Sequence, residues 1–240
     1  MLSIDTCGYI SESVMLAQNT FHISRDEVRT YLGYEGHEIS PELEQRIESI
    51  VVACEQSCRP SYIYATYPIE QLPLTLTGTA IHEHLQGAIG CVCMVCTLGL
   101  QADTSIRTYS VKSALDAFIY DTAASAYIES VANACEASVV RKAHDKGLMI
   151  NGRFSPGYAD LPLDVQPEIL SCLNATRRLG LTVTDEGMLI PTKSITACLG
   201  IFDDYGASGM HTALYPERFC ARCVCRDYCT LREAKKLCCR

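Results

Sequence analysis

A long stretch of this chain, from Thr108 to about His144, contains neither proline nor glycine. Because both residues interrupt helices, their absence over such a length favours one long helix. Apolar and small residues recur within it at three- and four-residue steps, as on one side of a helix: Val111, Leu115, Phe118, Ile119, Thr122, Ala126, Tyr127, Val131, Ala134 and Cys135. Gly147 ends the pattern. We therefore predict a long helix that packs on the rest of the fold.

Capping signals predict three shorter helices. The segment Ser24–Glu27, with the sequence SRDE, is a capping box that opens a short helix. Ser40 followed by Pro41 starts a second helix, because proline is favoured at the first helical position. The third segment, PEILSCLNATRRLG, has Pro167 near its start and Gly180 as its C-cap.

Three segments have the pattern of strands. SYIYATYPI, which begins at Ser61, is rich in aromatic and β-branched residues, and AIGCVCMVCTLG is a continuous apolar run typical of a buried strand. LTVTDEGMLIPTKSITACLGIF predicts a strand, a turn at Asp185–Gly187, a second strand, a break at Pro191 and a third strand. Helices and strands do not alternate regularly. This favours a single α+β domain with a central antiparallel sheet and long packed helices.

Charge is distributed unevenly along the chain. The whole chain has 20 Lys and Arg against 28 Asp and Glu, and a net charge of −8. Seven basic residues outnumber three acidic ones within residues 215–240, so we divide the chain into a domain, residues 1–214, and a basic, cysteine-rich tail, residues 215–240. The acidic body argues against nucleic acid as a partner, because phosphate binding needs a basic surface.

Hydropathy argues against a membrane protein. No apolar run approaches the roughly 20 residues that cross a bilayer. The amino-terminal sequence MLSIDTCGYISESV lacks the order of basic and apolar residues found in a signal peptide. We therefore expect a cytoplasmic protein with no membrane association.

The 15 cysteines are expected to be reduced, because the chain is neither small nor visibly secreted. Cys91, Cys93 and Cys96 lie in the apolar run, where the two-residue strand period places the first two on one face and Cys96 on the other. We therefore expect them to be core residues that do not converge on a metal. Cys54 and Cys58, four apart on a helix, are likewise expected to pack in the core.

The cysteines of the tail are spaced differently. The sequence CARCVCRDYC has the close spacing of ligands for Zn²⁺ or an iron–sulfur cluster, which makes the following residues candidate ligands: Cys220, Cys223, Cys225 and Cys229. A reduced tail without metal is the alternative. His82 and His84 lack the spacing of a zinc-binding helix, and we expect them to be ordinary surface or core histidines.

The sequence RFSPGY combines three features suited to a small ligand. Arg153 offers a rigid fork of donors that fits a carboxylate, Pro156 and Gly157 form a turn whose backbone can approach a ligand closely, and Tyr158 adds an aromatic face with a hydroxyl group. A small zwitterion that carries an adenine ring would use all three. The alternative is an Arg153 paired with an internal acid and a Tyr158 that caps the core.

This segment and its surroundings resemble the activation (reactivation) domain of cobalamin-dependent methionine synthase. RFSPGYADLPL is similar to its R-x-x-P-G-Y motif, and the segment 177–202 is similar to the strands that follow the motif in that family. The long helix resembles the helix that precedes it. The resemblance covers roughly residues 97–203, and the first ninety residues look like freestanding proteins of this kind from anaerobic bacteria.

The resemblance implies an accessory role in methionine biosynthesis rather than a stand-alone enzyme. Such a protein binds S-adenosylmethionine and serves the reductive remethylation of inactive cob(II)alamin on a separate, short methionine synthase, a methyltransferase. The implied partners are the cobalamin-binding module of that enzyme and an electron donor such as flavodoxin or ferredoxin.

The motif match also implies roles for individual residues. Arg153 would bind the carboxylate of S-adenosylmethionine, with its side chain facing a solvent-filled groove in the free protein. Ser155 and Gly157 would contact the ligand through their backbone, and Tyr158 would stand near the methyl group and the corrin. Pro156, in the turn, also belongs to the predicted site. Alignment by eye adds two further candidates, Glu129 and Tyr205.

Two other functions remain open on the sequence. An iron–sulfur reductive activator or electron-transfer protein for a corrinoid protein would use the tail cysteines to deliver electrons. A zinc-stapled interaction module would use them only for structure. No nucleophile motif, Walker loop or dinucleotide fingerprint occurs in the chain, so the residues themselves indicate no acid–base or nucleophilic catalysis.

Overall fold

The computed structural model describes residues 12–15, 21–34 and 37–203. Within these residues, five strands form one antiparallel sheet in the order β1-β2-β3-β7-β4, and β5 pairs with β6 in a separate hairpin. The strands are β1 Glu12–Met15, β2 Ser61–Pro68, β3 Gly90–Thr97, β4 Met149–Ile150, β5 Thr182–Val183, β6 Leu189–Ile190 and β7 Ser194–Phe202. The helices are α1 Arg25–Tyr31, α2 Pro41–Ser57, α3 Thr79–His84, α4 Leu100–Lys112, α5 Ala114–His144, α6 Gln166–Cys172 and α7 Ala175–Leu179. Two 3₁₀ turns are Ile69–Gln71 and Leu163–Val165.

Strand β3 is the centre of the sheet. It pairs along its whole length with β2, from Gly90↔Pro68 to Thr97↔Ser61, and with β7 on its other side. All eight of its residues are buried, which is why its sequence is apolar without alternation. The predicted strands and the α+β class with an antiparallel sheet are confirmed.

Each face of the sheet covers its own apolar core. Residues of β3 alternate between the two cores: Val92, Met94 and Cys96 belong to the first core, with residues of α2 and α5. Cys91 and Cys93 belong to the second core, with residues of α3 and α6. We call these the α5 side and the α6 side of the sheet.

The predicted helix from Thr108 to His144 is two helices. Ser113 breaks it with extended backbone (φ −160°, ψ 118°) and accepts a hydrogen bond from the backbone N–H of Asp116, so that it caps α5. A serine that bonds its own backbone in this way competes with a continuous helix. Thr108 therefore lies in the last part of α4, and α5 alone is the long helix on the sheet.

The break also changes which residues face the core. Val111, Leu115 and Phe118 were predicted on the buried stripe, but 87%, 45% and 54% of their surface is exposed. Farther along α5 the predicted stripe is correct, with the following members buried: Ile119, Thr122, Ala126, Tyr127, Val131 and Cys135. The buried stripe was therefore predicted correctly only from Ile119 onward.

The segment PEILSCLNATRRLG is also two helices, α6 and α7. Asn174 separates them in the left-handed conformation, at φ 50°. The other capping signals are confirmed. Ser24 and Ser40 accept hydrogen bonds from backbone N–H groups in the first turns of α1 and α2, and Gly180 ends α7 in the left-handed region.

The β5–β6 hairpin matches the predicted order of strand, turn, strand and break before β7. Among the described residues, no helix is both long and apolar enough to cross a membrane.

Candidate functional site

The RFSPGY segment continues the sheet edge beyond β4. Phe154 donates its backbone N–H to the carbonyl of Cys198 at 2.9 Å and accepts the N–H of Cys198 at 2.9 Å, so the segment stays paired with β7. The Phe154 side chain is buried in the core of the α6 side. Because neighbouring side chains of an extended segment point to opposite faces, Arg153 and Ser155 fall on the α5 side.

Arg153 is bound to α5 through three side chains. Its Nε donates to Glu136 Oε2 at 2.9 Å, and its Nη2 contacts Asn133 Oδ1 at 2.8 Å and Glu129 Oε2 at 3.3 Å. Only 9% of the Arg153 side chain is exposed. The expectation that it faces solvent is therefore wrong, because α5 passes close enough for its acidic side chains to surround the guanidinium.

The partners of Arg153 belong to a polar stripe along α5, which sequence reasoning missed. Its members follow one another at steps of four, four, four and three residues: Asp121, Ser125, Glu129, Asn133 and Glu136. Lys193, just before β7, contacts the N-terminal part of this stripe. Its Nζ lies 2.9 Å from Asp121 Oδ1 and 2.9 Å from Ser125 Oγ. The helical spacing of these polar residues could have revealed the stripe in the sequence, because residues three and four apart lie on one face of a helix whether they are polar or apolar.

The charges around Arg153 do not cancel. One guanidinium faces the two carboxylates Glu129 and Glu136, which leaves a formal charge of −1. Burial raises the pKa of the Glu136 carboxyl, although the Coulombic attraction and the hydrogen bond of Arg153 oppose this rise. A carboxylate that is partly desolvated beside a cation makes the site suited to a ligand with both an anionic and a cationic group.

The rest of the motif is a tight turn. The backbone N–H of Tyr158 donates to the carbonyl of Ser155 at 3.2 Å, and the N–H of Gly157 donates to the carbonyl of Leu161 at 2.8 Å. Gly157 has a φ of +89°, a conformation that side chains rarely adopt. Pro156 is buried at the base of the turn, whereas 45% of Tyr158 is exposed. The tyrosine ring is therefore presented on the surface of the turn.

The far end of the turn is anchored to α3. The Asp160 carboxylate accepts the backbone N–H groups of Thr79 at 2.6 Å and Ala80 at 3.0 Å, where that helix begins. Gly78 lies so close that a Cβ there would stand 2.6 Å from the Asp160 carbonyl oxygen. With the Phe154 pairing at the other end, both ends of the motif are fixed to the fold.

The structure thus brings together part of the predicted site. Arg153 and Glu129, 24 residues apart in the chain, are in direct contact, and Ser155 to Tyr158 form the adjoining turn. Tyr205 and the tail cysteines Cys220, Cys223, Cys225 and Cys229 lie outside the described residues, as does the predicted boundary at residue 214.

The core cysteines lie where the sequence predicted. Cys91, Cys93 and Cys96 are buried, the first two on one side of β3 and Cys96 on the other, so the three do not converge. A grouping that was not predicted adds Cys198 on β7, since its Sγ atom and those of Cys91 and Cys93 all lie within 4.8 Å of one another. Sequence alone could not supply the third member, because it comes from a neighbouring strand about a hundred residues away.

Cys54 and Cys58 are buried, with their sulfurs 3.8 Å apart. Of the two histidines, His82 is exposed. His84 is fully buried, with its ring 5.1 Å from that of Phe154. Both pairs are therefore placed as expected for core and surface residues.

Comparison with known proteins gives a likeness in structure. No family model matches the sequence, and no curated protein matches it. Among solved structures, the fold is similar to one described as "Crystal Structure of the MetH Reactivation Domain bound to AdoHcy". The TM-score is 0.58 at 12% sequence identity, over 88% of this chain and 89% of that one. At this identity the likeness establishes the fold.

Proposed function

We propose that this protein binds S-adenosylmethionine and serves the reductive remethylation of cob(II)alamin on a separate, short cobalamin-dependent methionine synthase. The motif in the sequence and the likeness to a reactivation domain that was solved with AdoHcy support the proposal independently. In this role the protein is a freestanding activation component rather than an enzyme on its own.

The observation that carries the proposal is the contact between Arg153 and Glu129. These two residues were selected from the sequence as ligand-binding candidates, and they are in contact where α5 packs against the RFSPGY segment. One offers donors to a carboxylate and the other a carboxylate to an ammonium group. An α-amino acid carries both groups on one carbon atom, so adjoining partners of opposite charge suit it.

The contacts of Arg153 differ in how easily a ligand can replace them. The Glu129 contact is the longest of the three, at 3.3 Å, and Glu129 is 40% exposed, against 20% for Glu136. An incoming carboxylate would take the place of Glu129 at Nη2, and Glu129 would turn to the ammonium group. Glu136 and Asn133 would continue to hold the guanidinium in position.

The charge of the site also agrees with this ligand. S-adenosylmethionine carries a carboxylate, an ammonium and a sulfonium group, a net charge of +1, and the Arg153 cluster has a formal charge of −1. The fixed turn from Ser155 to Tyr158 would then orient the ligand, with its backbone against the amino acid and the exposed Tyr158 ring toward the partner.

The remaining chemistry belongs to the ligand and the partner. When bound, S-adenosylmethionine supplies the methyl group, and its sulfonium sulfur is the leaving group. The overall reaction consumes one electron and one S-adenosylmethionine for each cob(II)alamin and yields methylcobalamin and S-adenosylhomocysteine. The protein's task is to position the methyl group, for which the site needs no catalytic acid or base. The electron would come from a flavodoxin or ferredoxin.

Isothermal titration with S-adenosylmethionine tests the proposal. Arg153→Ala removes a charge-assisted contact worth roughly 1.5–3 kcal/mol, so we expect binding to weaken by about 10- to 150-fold. Glu129→Gln keeps the size of the side chain but removes its charge, and we expect a loss of roughly tenfold, or about 1.4 kcal/mol. Arg46→Ala is the matched control, because Arg46 also pairs with an acid of α5, Asp116, away from the motif.

The control should bind as the parent does. The proposal fails if the parent shows no binding at millimolar ligand. It also fails if folded Arg153→Ala and Glu129→Gln both bind as tightly as the parent. Circular dichroism of each variant separates lost binding from lost folding, and Glu129→Gln carries the test if Arg153→Ala does not fold.

A further inference from the structure

Three cysteine sulfurs meet on the α6 side of the sheet. Cys93 and Cys198 are direct partners in the pairing of β3 with β7. The backbone N–H and carbonyl of Cys198 bond to Phe154 and so point away from β3. Cys93 and Cys198 are therefore a non-hydrogen-bonded pair, the kind in which opposite side chains approach most closely. Cys91, two residues from Cys93, lies on the same face, and all three Sγ atoms are within 4.8 Å of one another.

A fourth sulfur comes from α6. Cys172, the last residue of that helix, packs against the core that contains the other three cysteines. Cys91, Cys93 and Cys198 are fully buried, whereas Cys172 is partly exposed. The four cysteines thus come from β3, β7 and α6, and Cys172 is the member of this group that is partly exposed.

We propose that Cys91, Cys93 and Cys198, with Cys172 as the fourth ligand, form a binding site for one thiophilic divalent cation, for which Zn²⁺ is the probe. Four thiolates around Zn²⁺ stand at about 2.3 Å from the metal, which places the sulfurs about 3.8 Å from one another. The three buried sulfurs already lie within 4.8 Å, so a contraction of about 1 Å at most would suffice. Soft thiolate ligands select such ions over Mg²⁺ or Ca²⁺.

The site would also support the neighbouring motif. The backbone of Cys198 holds Phe154 by two hydrogen bonds, and Phe154 adjoins Arg153 in the chain. A cation that fixes β3, β7 and α6 to one another would fix the sheet edge to which the RFSPGY segment is paired. This structural role does not depend on which ligand the motif binds.

The experiment measures Zn²⁺ bound by the full-length chain. The tail offers other thiols, so the background protein has serine in place of six cysteines: Cys220, Cys223, Cys225, Cys229, Cys238 and Cys239. The reduced protein is equilibrated with Zn²⁺ without oxygen, freed of unbound metal and assayed by elemental analysis. We expect one Zn²⁺ per chain, which Cys93→Ala loses. Cys96→Ala is the matched control and should keep the metal, since Cys96 is buried in the same strand but on the α5 side.

A second measurement on the background protein does not depend on how the variants fold. X-ray absorption at the zinc edge should show sulfur ligands at about 2.3 Å. Ligation dominated by nitrogen or oxygen would overturn the proposal. The proposal is also overturned if the reduced background protein retains no Zn²⁺, or if a folded Cys93→Ala variant retains it fully. A Cys93–Cys198 disulfide would have the same consequence if the protein still bound no metal after reduction.

Discussion

The two sides of the segment that carries Arg153 and Phe154 are governed by different physics. On the α5 side, Arg153 is held by charged and polar groups, among which Glu129 is 40% exposed. On the α6 side, Phe154 is 5% exposed and packs within an apolar core. Neighbouring residues of one extended segment therefore have different roles. The apolar side fixes the position of the backbone, and the polar side remains adjustable enough to exchange partners with a ligand.

The largest expected effect tests the apolar side. Phe154→Ala removes a buried aromatic ring and leaves a cavity, so we expect a loss of about 3–5 kcal/mol in the free energy of unfolding, measured by urea denaturation. Phe118→Ala is the control, because Phe118 is 54% exposed and should change stability by less than about 0.5 kcal/mol. Equal losses in the two variants would contradict the division between the two sides.

A smaller effect is expected on the polar side. Arg153→Ala should lower the free energy of unfolding by about 1–3 kcal/mol, less than the roughly 3–5 kcal/mol for a fully buried pair, because water reaches the acidic partners. A double-mutant cycle with Glu136→Ala should give a coupling energy of about 0.5–3 kcal/mol. The cycle between Arg46 and Asp116, where Arg46 is 46% exposed, should give less than about 1 kcal/mol.

These cycles can break the comparison. If Arg153→Ala costs as much as Phe154→Ala, the guanidinium is part of the core and is not free to exchange Glu129 for a ligand. If the Arg153–Glu136 coupling is zero, the pair does not position the guanidinium. Either result would contradict a polar side that can exchange partners with a ligand.

The smallest expected effect concerns pH. Burial raises the pKa of Glu136 in the folded protein above its ordinary value of 4.5, so its contribution to stability is fully present below pH 4.5 and is lost as the pH rises through the folded value. The stability of the parent relative to Glu136→Gln should therefore fall as the pH rises from about 4.5. Urea denaturation of both proteins across this range measures the difference.

Glu48 provides a control of opposite sign. A hydrogen bond from Arg25 lowers the pKa of Glu48, so its contribution is present above the unfolded value of 4.5 and is lost as the pH falls through the folded one. The parent should therefore lose stability relative to Glu48→Gln on acidification. The same sign for both glutamates would mean that burial does not dominate at Glu136.

The sequence predicted most of the regular structure, since its signals were local. The apolar run of β3 indicated a strand buried on both faces, and Ser24 and Ser40 marked the starts of α1 and α2. The helix boundaries at Ser113 and Asn174 were missed. Neither residue forbids a helix, and each breaks one only because its backbone adopts a specific conformation in the fold. Val111 and Phe118, one on each side of the break at Ser113, were predicted to be buried and are exposed.

The candidate site divides in the same way. The sequence by itself determined the turn of RFSPGY, because proline and glycine restrict the backbone wherever they stand, and it provided an arginine suited to a carboxylate. Only the tertiary structure decided that Glu136 and Asn133 surround that arginine and that Cys198 joins Cys91 and Cys93. Such contacts depend on how α5 lies on the sheet and on the register of β3 with β7. A single sequence does not state this register, because the pairing of distant strands is fixed by packing of the whole core.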